Sequence, residues 1–315
     1  MTITIIDSAS ATQRILDSPD GERAGLVREM WAPLASMHRF APGEVDLADA
    51  HRQASGFPWD RDLDETRRSL DALVRADAWA RMETALAAGS EAIRRADPSA
   101  VIPDIHVLLI VADSRDEHLV REVRGLSAFG GISGSILLVL HPTPEVLARL
   151  EAIVVHELHH NVRYSPGGVV WDPAAVTVGE QVVAEGLADA FAAELHGTAG
   201  PTHFVAEETR RDDAVLARVT AGLGTQGMGG LLAWVLGDAS AERLGIAPVG
   251  LPTGAGYAVG LRLVRAYLDA TGLTAAASVR ASSAEVIRVA TERLGLPHPL
   301  RATGAGPSVG EDGAR

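Results

Sequence analysis

Apolar residues recur along this chain in two rhythms, and the rhythms divide it. From Arg61 to Asp97, Leu63, Leu70, Leu73, Val74, Trp79, Met82, Leu86 and Ile93 return at roughly helical spacing with Asp, Glu and Arg between them, which predicts an amphipathic helix pair. Glu22–Phe40 has the same character, whereas Ala41–Asp60, interrupted by Pro42, Gly43, Gly56 and Pro58, reads as loop. The texture changes at Pro98–Pro103. Asp104–Ala112 is dense in Ile, Val and Leu and predicts a buried strand; Ser135–Leu140 predicts a second, and the Gly-rich Ser127–Gly134 between them reads as loop. Thr143 suits an N-cap and Pro144 a first helical position, so a helix should run from Pro144 to about Arg163 with Val146, Leu147, Leu150, Ile153 and Val154 as its core stripe. After a loop at Ser165–Pro173, a second long helix is expected from about Val176 to His196, stopped by Gly197. Helical patterns return at Thr202–Leu223, Gly227–Leu236, Gly254–Leu268 and Ala284–Leu294, and the Gly- and Ala-rich tail Arg301–Arg315 is expected to be disordered. The fold class that follows is α+β, predominantly helical, with one small sheet.

Composition adds boundaries to this picture. With 315 residues, 47% hydrophobic and 22% charged, the chain can bury a core without staples. Its formal net charge of −13, from 28 Lys+Arg against 41 Asp+Glu, argues against a general nucleic-acid binder and against an anionic membrane surface as partner. The absence of cysteine excludes disulfides, thiolate metal sites and cysteine nucleophiles. The stretch MTITIIDSASATQ lacks the pattern of a signal peptide. The longest apolar runs, Val107–Ala112 and Ile136–Leu140, are far shorter than the roughly 18 residues of a membrane span. A cytoplasmic protein with no nucleic-acid and no membrane partner is the expectation.

The candidate chemistry lies in His156-Glu157-Leu158-His159-His160, an H-E-x-x-H pattern on the helix predicted over 144–163. Residues at i and i+4 lie one above the other on a helix face. His156 and His160 can therefore present imidazole nitrogens to one Zn²⁺. Glu157, about 100° round the helix, can reach a water on that ion and act as its general base. A catalytic zinc needs a third ligand and an open position. Glu185, 25 residues after His160 on the second long helix, is the candidate third ligand. Asp189, one turn on, would accept a hydrogen bond from a ligand histidine and fix its tautomer. Glu180 and, more weakly, His196 are rival ligands, and His159 is a packed or supporting histidine rather than a ligand. Gly186, Ala188 and Ala192 would let the second helix approach the first.

These residues resemble a known family. H-E-x-x-H followed by Glu185-x-x-x-Asp189 is similar to the gluzincin, thermolysin-like metallopeptidases. More narrowly, four elements resemble the YjaZ-like family of predicted bacterial zinc-dependent proteases. They are Phe129-Gly130-Gly131-Ile132 with the run Ile136–Thr143, His156–Arg163, Glu185-Gly186-Leu187-Ala188, and Gly256-Tyr257-Ala258-Val259-Gly260. The motifs run from about Ser127 to Leu268. The resemblance implies a zincin-like fold with the sheet next to the metal helix, and Ser135–Leu140 as the strand whose exposed edge pairs with an extended peptide. It also points to Tyr257 as the group stabilising the oxyanion; apart from the resemblance, Arg163 and His203 are other candidates for that role.

The expected organisation is an N-terminal helical region over 1–98, a zincin-like catalytic domain over 99–300 and the tail 301–315. The expected function is a zinc metallopeptidase acting on a peptide or protein substrate. Rival functions are a zinc-dependent hydrolase or lyase of a small molecule and a helical interaction protein with a structural zinc. The latter would close its site with a fourth ligand such as His159 or His196.

Overall fold

The two apolar runs form the centre of a sheet. In the computed structural model, which describes residues 2–297, four strands pair in the order β1-β2-β4-β3. They are β1 (Ile3–Ile5), β2 (Ile105–Val111), β3 (Leu126–Phe129) and β4 (Ser135–Leu140). β2 is parallel to both β1 and β4, and all six residues of β4 are buried. Strands covered on both faces read as near-continuous apolar runs rather than as alternation, which is the pattern of IHVLLIV and SILLVL. β3 runs antiparallel along β4, with Leu126 opposite Leu140 and Phe129 opposite Leu137. This corrects the expectation that β4 offers an edge to a peptide: β2 and β3 occupy both its sides, and β3 is the edge strand. It also corrects the reading of 127–134 as loop throughout. The hydrogen-bond ladder with β4 makes a strand of residues whose composition alone signals a turn.

The helices are α1 (Ser8–Asp17), α2 (Asp20–Trp31), α3 (Leu47–Gln53), α4 (Leu63–Arg75) and α5 (Ala78–Ala96) ahead of β2. After β4 come α6 (Pro144–Leu147), α7 (Leu150–Arg163), α8 (Val178–His196), α9 (Glu207–Arg211) and α10 (Asp213–Gly222). The last four are α11 (Met228–Leu236), α12 (Asp238–Arg243), α13 (Ala255–Thr271) and α14 (Ser283–Leu294). The pair predicted over 61–97 is α4 and α5. The expected loop at 41–60 contains α3, which Asp46 caps by accepting from the Ala48 N–H at 2.8 Å. Thr143 caps α6 as expected, accepting from Val146 N–H at 3.2 Å, but the helix predicted over 144–163 is interrupted at Ala148–Arg149 before α7 begins. The helix predicted over 202–223 becomes α9 and α10, because Asp212 caps a new start through the Ala214 and Val215 N–H groups. The expected disordered tail lies outside the described residues.

α7 packs against β3, β4, α5 and α8, so thirteen of its fourteen residues are buried. A helix buried on all sides cannot leave polar side chains unpaired without a cost of roughly 1–3 kcal/mol each. α8 is packed between α7 and α13. Its crossing with α13 is unusually close: a Cβ at Gly186 would stand 2.2 Å from the Gly260 carbonyl, and one at Gly260 2.1 Å from the Val182 oxygen. Gly186 thus serves the contact with α13 and not, as expected, the contact with α7. Among the described residues no helix is long and apolar enough to cross a membrane.

Candidate metal centre

α7 and α8 bring three ligand atoms to one point. His156 Nε2 lies 3.1 Å from His160 Nε2 and 3.1 Å from Glu185 Oε2, and His160 Nε2 lies 3.2 Å from the same oxygen. Donors on a tetrahedral zinc at about 2.0–2.1 Å would stand about 3.3–3.4 Å apart, so the triangle has nearly the dimensions of one tetrahedral face. Among the described residues these three form the one group of His, Asp and Glu side chains close enough to hold a metal ion. Among the described residues no fourth protein ligand joins them.

The tautomer of His156 is fixed from behind. Its Nδ1–H donates to Asp189 Oδ1 at 3.1 Å, which turns the Nε2 lone pair toward the triangle. Asp189 Oδ1 also accepts from Thr202 N–H at 3.1 Å and from the Thr202 hydroxyl at 2.7 Å. Three lone-pair atoms in a buried triangle repel unless a cation sits among them, and the electrostatics of the site carry that signature. Burial opposes charging of His156, yet the carboxylates of Asp189 and Glu185 hold its pKa well above the usual value. Burial would raise Glu185, yet His160 and His156 hold its carboxyl far below the usual range. The site favours positive charge between these groups, and the donor set of two imidazoles and a carboxylate fits a zinc-like divalent ion.

Glu157 stands beside the triangle rather than in it. It is buried, and burial raises its pKa against the opposing pull of His156 and His160. A carboxylate with a raised pKa beside a metal site has the properties of a general base. Tyr257, on α13, stacks on His156 with ring centroids 6.2 Å apart, and burial, with Glu185 next, drives its phenol pKa well up, so it is a neutral donor.

Two cavities meet at this point. One, of about 240 Å³, includes Arg149, His156, Glu157, Thr202, His203 and Tyr257 in its lining; the other, of about 190 Å³, includes Glu157, His160, Glu185, Trp171, Leu232 and Tyr257. β3 runs along both, with Leu126, Ser127 and Ala128 on the first and Ala128 and Phe129 on the second. The His141 N–H bonds to the Gly125 carbonyl, so by antiparallel alternation Ala128 turns its own N–H and C=O away from β4.

The remaining candidates are engaged elsewhere. Arg163 forms a bidentate pair with Glu180 at 2.8 and 2.9 Å and donates to the Val279 and Ala281 carbonyls, so neither the rival ligand Glu180 nor Arg163 reaches the triangle. His159 packs on Phe191, with Nε2 3.5 Å from the Ala275 carbonyl, and burial keeps it neutral; it does not touch a ligand. His196, at the far end of α8, is half-buried near Glu151. His203 lines the larger cavity, its Nε2–H donating to the Arg124 carbonyl at 3.1 Å.

Two residues of the site escaped the sequence reading. Thr202 has no pattern that could reveal it, because its partner Asp189 lies 13 positions away across a turn. Asn161 could have been noticed as a polar residue on an apolar helix next to H-E-x-x-H. Fully buried, it accepts from Gly134 N–H at 2.8 Å and donates to the carbonyls of Gly130, Ile132 and Ser135, so it shapes the turn that carries β3 past Glu157.

Comparison with known proteins supplies three findings. A family model described as "Predicted Zn-dependent protease (DUF2268)" matches residues 83–288, from α5 to α14. The "Uncharacterized protein YjfC" of Bacillus subtilis (strain 168) is 35% identical over 168 residues, 52% of this chain and 54% of that protein. The match thus spans about half the length of the curated relative. No solved structure matches the chain.

Proposed function

The chain belongs to the family of predicted Zn-dependent proteases (DUF2268), and on that premise we propose that it is a zinc metallopeptidase of zincin-like architecture. The observation that carries the reading is the triangle of His156, His160 and Glu185 with Glu157 beside it, set where two cavities meet along an edge strand. His156, His160 and Glu185 hold the ion, and Asp189 keeps His156 in the ligating tautomer. A bound zinc supplies Lewis-acid polarisation of the scissile carbonyl and acidifies a water.

The chain's own residues do the rest. The substrate backbone lies along β3, where the N–H and C=O of Ala128 face it as an added strand. Glu157 takes a proton from the attacking water, which the raised pKa of its carboxyl favours, and delivers it to the leaving amine. Tyr257 donates its phenolic hydrogen to the oxygen on which negative charge develops. A cleft continuing on both sides of the site favours a chain over a small molecule. Among the described residues no fourth protein ligand, His159 and His196 included, joins the three, which favours a catalytic over a structural ion.

Metal content of the purified chain tests this, with His156→Ala and Glu157→Gln alongside. One zinc per chain is expected in wild type and in Glu157→Gln, and none in His156→Ala. Peptide hydrolysis is expected in the wild type alone. Absence of zinc from the wild type after zinc is supplied, or full turnover by Glu157→Gln, would overturn the proposal.

A further inference from the structure

The larger cavity contains a cation, Arg149, that pairs with no carboxylate among the described residues. Arg149 ends the turn before α7, two helical turns ahead of His156 and on the same face, so by the 1.5 Å rise it stands about 10 Å from that ligand along the axis. Its Nη1 donates to the carbonyls of Ala199 at 2.9 Å and Pro201 at 3.4 Å. Its Nε and Nη2 have no partner among the described residues, and neither is sealed in the interior. The acidic residues next to it in sequence are taken: Glu145 by Arg124 and Glu151 by Arg81. Arg243, the other cation of the lining, is neutralised by Asp116 in a bidentate pair. Of the described residues lining the cavity only Glu157 is acidic. In a chain of net charge −13 this is a positive charge without a carboxylate partner in the wall of the cleft.

β3 gives the cavity a direction. The strand runs from the larger cavity at Leu126 to the smaller at Phe129. A substrate added antiparallel to β3, the more stable pairing, runs the opposite way and places the residues after its scissile bond in the larger cavity. At about 3.3 Å per extended residue, a reach of about 10 Å corresponds to about three residues.

We infer that Arg149 is a specificity-determining residue that binds a carboxylate of the substrate two to four residues beyond the scissile bond on its C-terminal side. The carboxylate belongs either to an Asp or Glu side chain or to the free C-terminus of a peptide. This rests on the metallopeptidase reading of the same site.

The test is cleavage of a synthetic peptide mixture by the zinc-loaded full chain, with cut positions read by mass spectrometry. A cleaved sequence is then remade with Gln for Glu, or with a C-terminal amide. The acid form should exceed its neutral counterpart by roughly ten- to a hundredfold in kcat/KM, the range of a charge-assisted hydrogen bond. The substitution that matters, side chain or terminus, identifies the carboxylate. Arg149→Met should bring the acid-to-neutral ratio near one, and Arg149→Lys should keep part of it. Comparing acid and neutral substrates on the wild type needs no variant to fold. Cleavage with a wild-type ratio near one, or an Arg149→Met variant that keeps the ratio, overturns the inference and leaves the peptidase reading intact. No zinc, or no cleavage of any peptide, removes the reading and the inference with it.

Discussion

Replacing Gly260 with alanine tests whether the close crossing of α8 and α13 positions the candidate site. A Cβ at Gly260 stands 2.1 Å from the Val182 carbonyl oxygen and 3.0 Å from Gly186 N, where ordinary contact begins at 3.4 Å. The obstacles are α8 backbone, which cannot swing aside as a side-chain tip can. α13 must therefore withdraw by about 1.3 Å, the difference between 3.4 and 2.1 Å. α8 remains packed on α7, so the ligand triangle should survive while Tyr257, carried on α13, moves off His156. Overpacking of this kind costs about 1–3 kcal/mol. Displacement of a reacting group by about 1 Å costs up to roughly a hundredfold in rate. The assay sets thermal melting, zinc stoichiometry and peptide hydrolysis of Gly260→Ala beside wild type. A melting temperature lower by about 2–10 °C, retained zinc and a rate reduced by about ten- to a hundredfold are expected. Wild-type melting together with a wild-type rate refutes the reasoning. Loss of zinc would show that the triangle, rather than Tyr257, depends on the crossing.

Other consequences follow from the same contacts. Thr202→Val removes the hydroxyl that donates to Asp189, and metal affinity in a chelator competition should fall about tenfold; an unchanged affinity would show that the backbone N–H suffices. Arg163→Met leaves the buried Glu180 without its counter-charge, the Tyr164 hydroxyl still donating to it, and should destabilise the fold by about 3–5 kcal/mol, read as a lower urea midpoint, whereas a loss below about 1 kcal/mol contradicts this. His51 is fully buried, accepting from Trp31 Nε1–H at 2.9 Å and donating Nε2–H to the Phe57 carbonyl at 2.8 Å, and burial lowers its pKa to about 4. Its folded value lies below the unfolded value near 6.5. The neutral ring's contribution is therefore complete above about pH 6.5 and is lost as pH falls toward 4, by about 3 kcal/mol. Urea unfolding of wild type and His51→Leu across pH 7–4 should show the steeper acid loss only in wild type; parallel slopes would refute the assignment.

The three residues of the candidate metal group were legible in the sequence because helical geometry is local. Spacing of i and i+4 alone puts His156 and His160 on one face, and a carboxylate on the next long helix needed only that helix to pack on the first. The core strands β2 and β4, the capping of α6 by Thr143 and the end of α8 at Gly197 were legible for the same reason. Apolar runs, side-chain caps and helix stops act within a few residues.

Tertiary structure decided what depends on partners distant in sequence. β3 is a strand because β4 lies beside it, and that pairing moved the free edge from β4 to β3. Arg163 and Glu180, each a plausible site residue alone, neutralise one another because α7 and α8 bring them together in a buried place where a lone charge is costly. Gly186 appeared suited to α7 but meets Gly260 on α13. Thr202 gains its role from a turn that returns the chain to Asp189, and Arg149 has no carboxylate partner among the described residues because Arg81 and Arg124 have taken the neighbouring ones. Chain-local patterns fix which residues can do chemistry; the packing of distant segments fixes which of them are left free to do it.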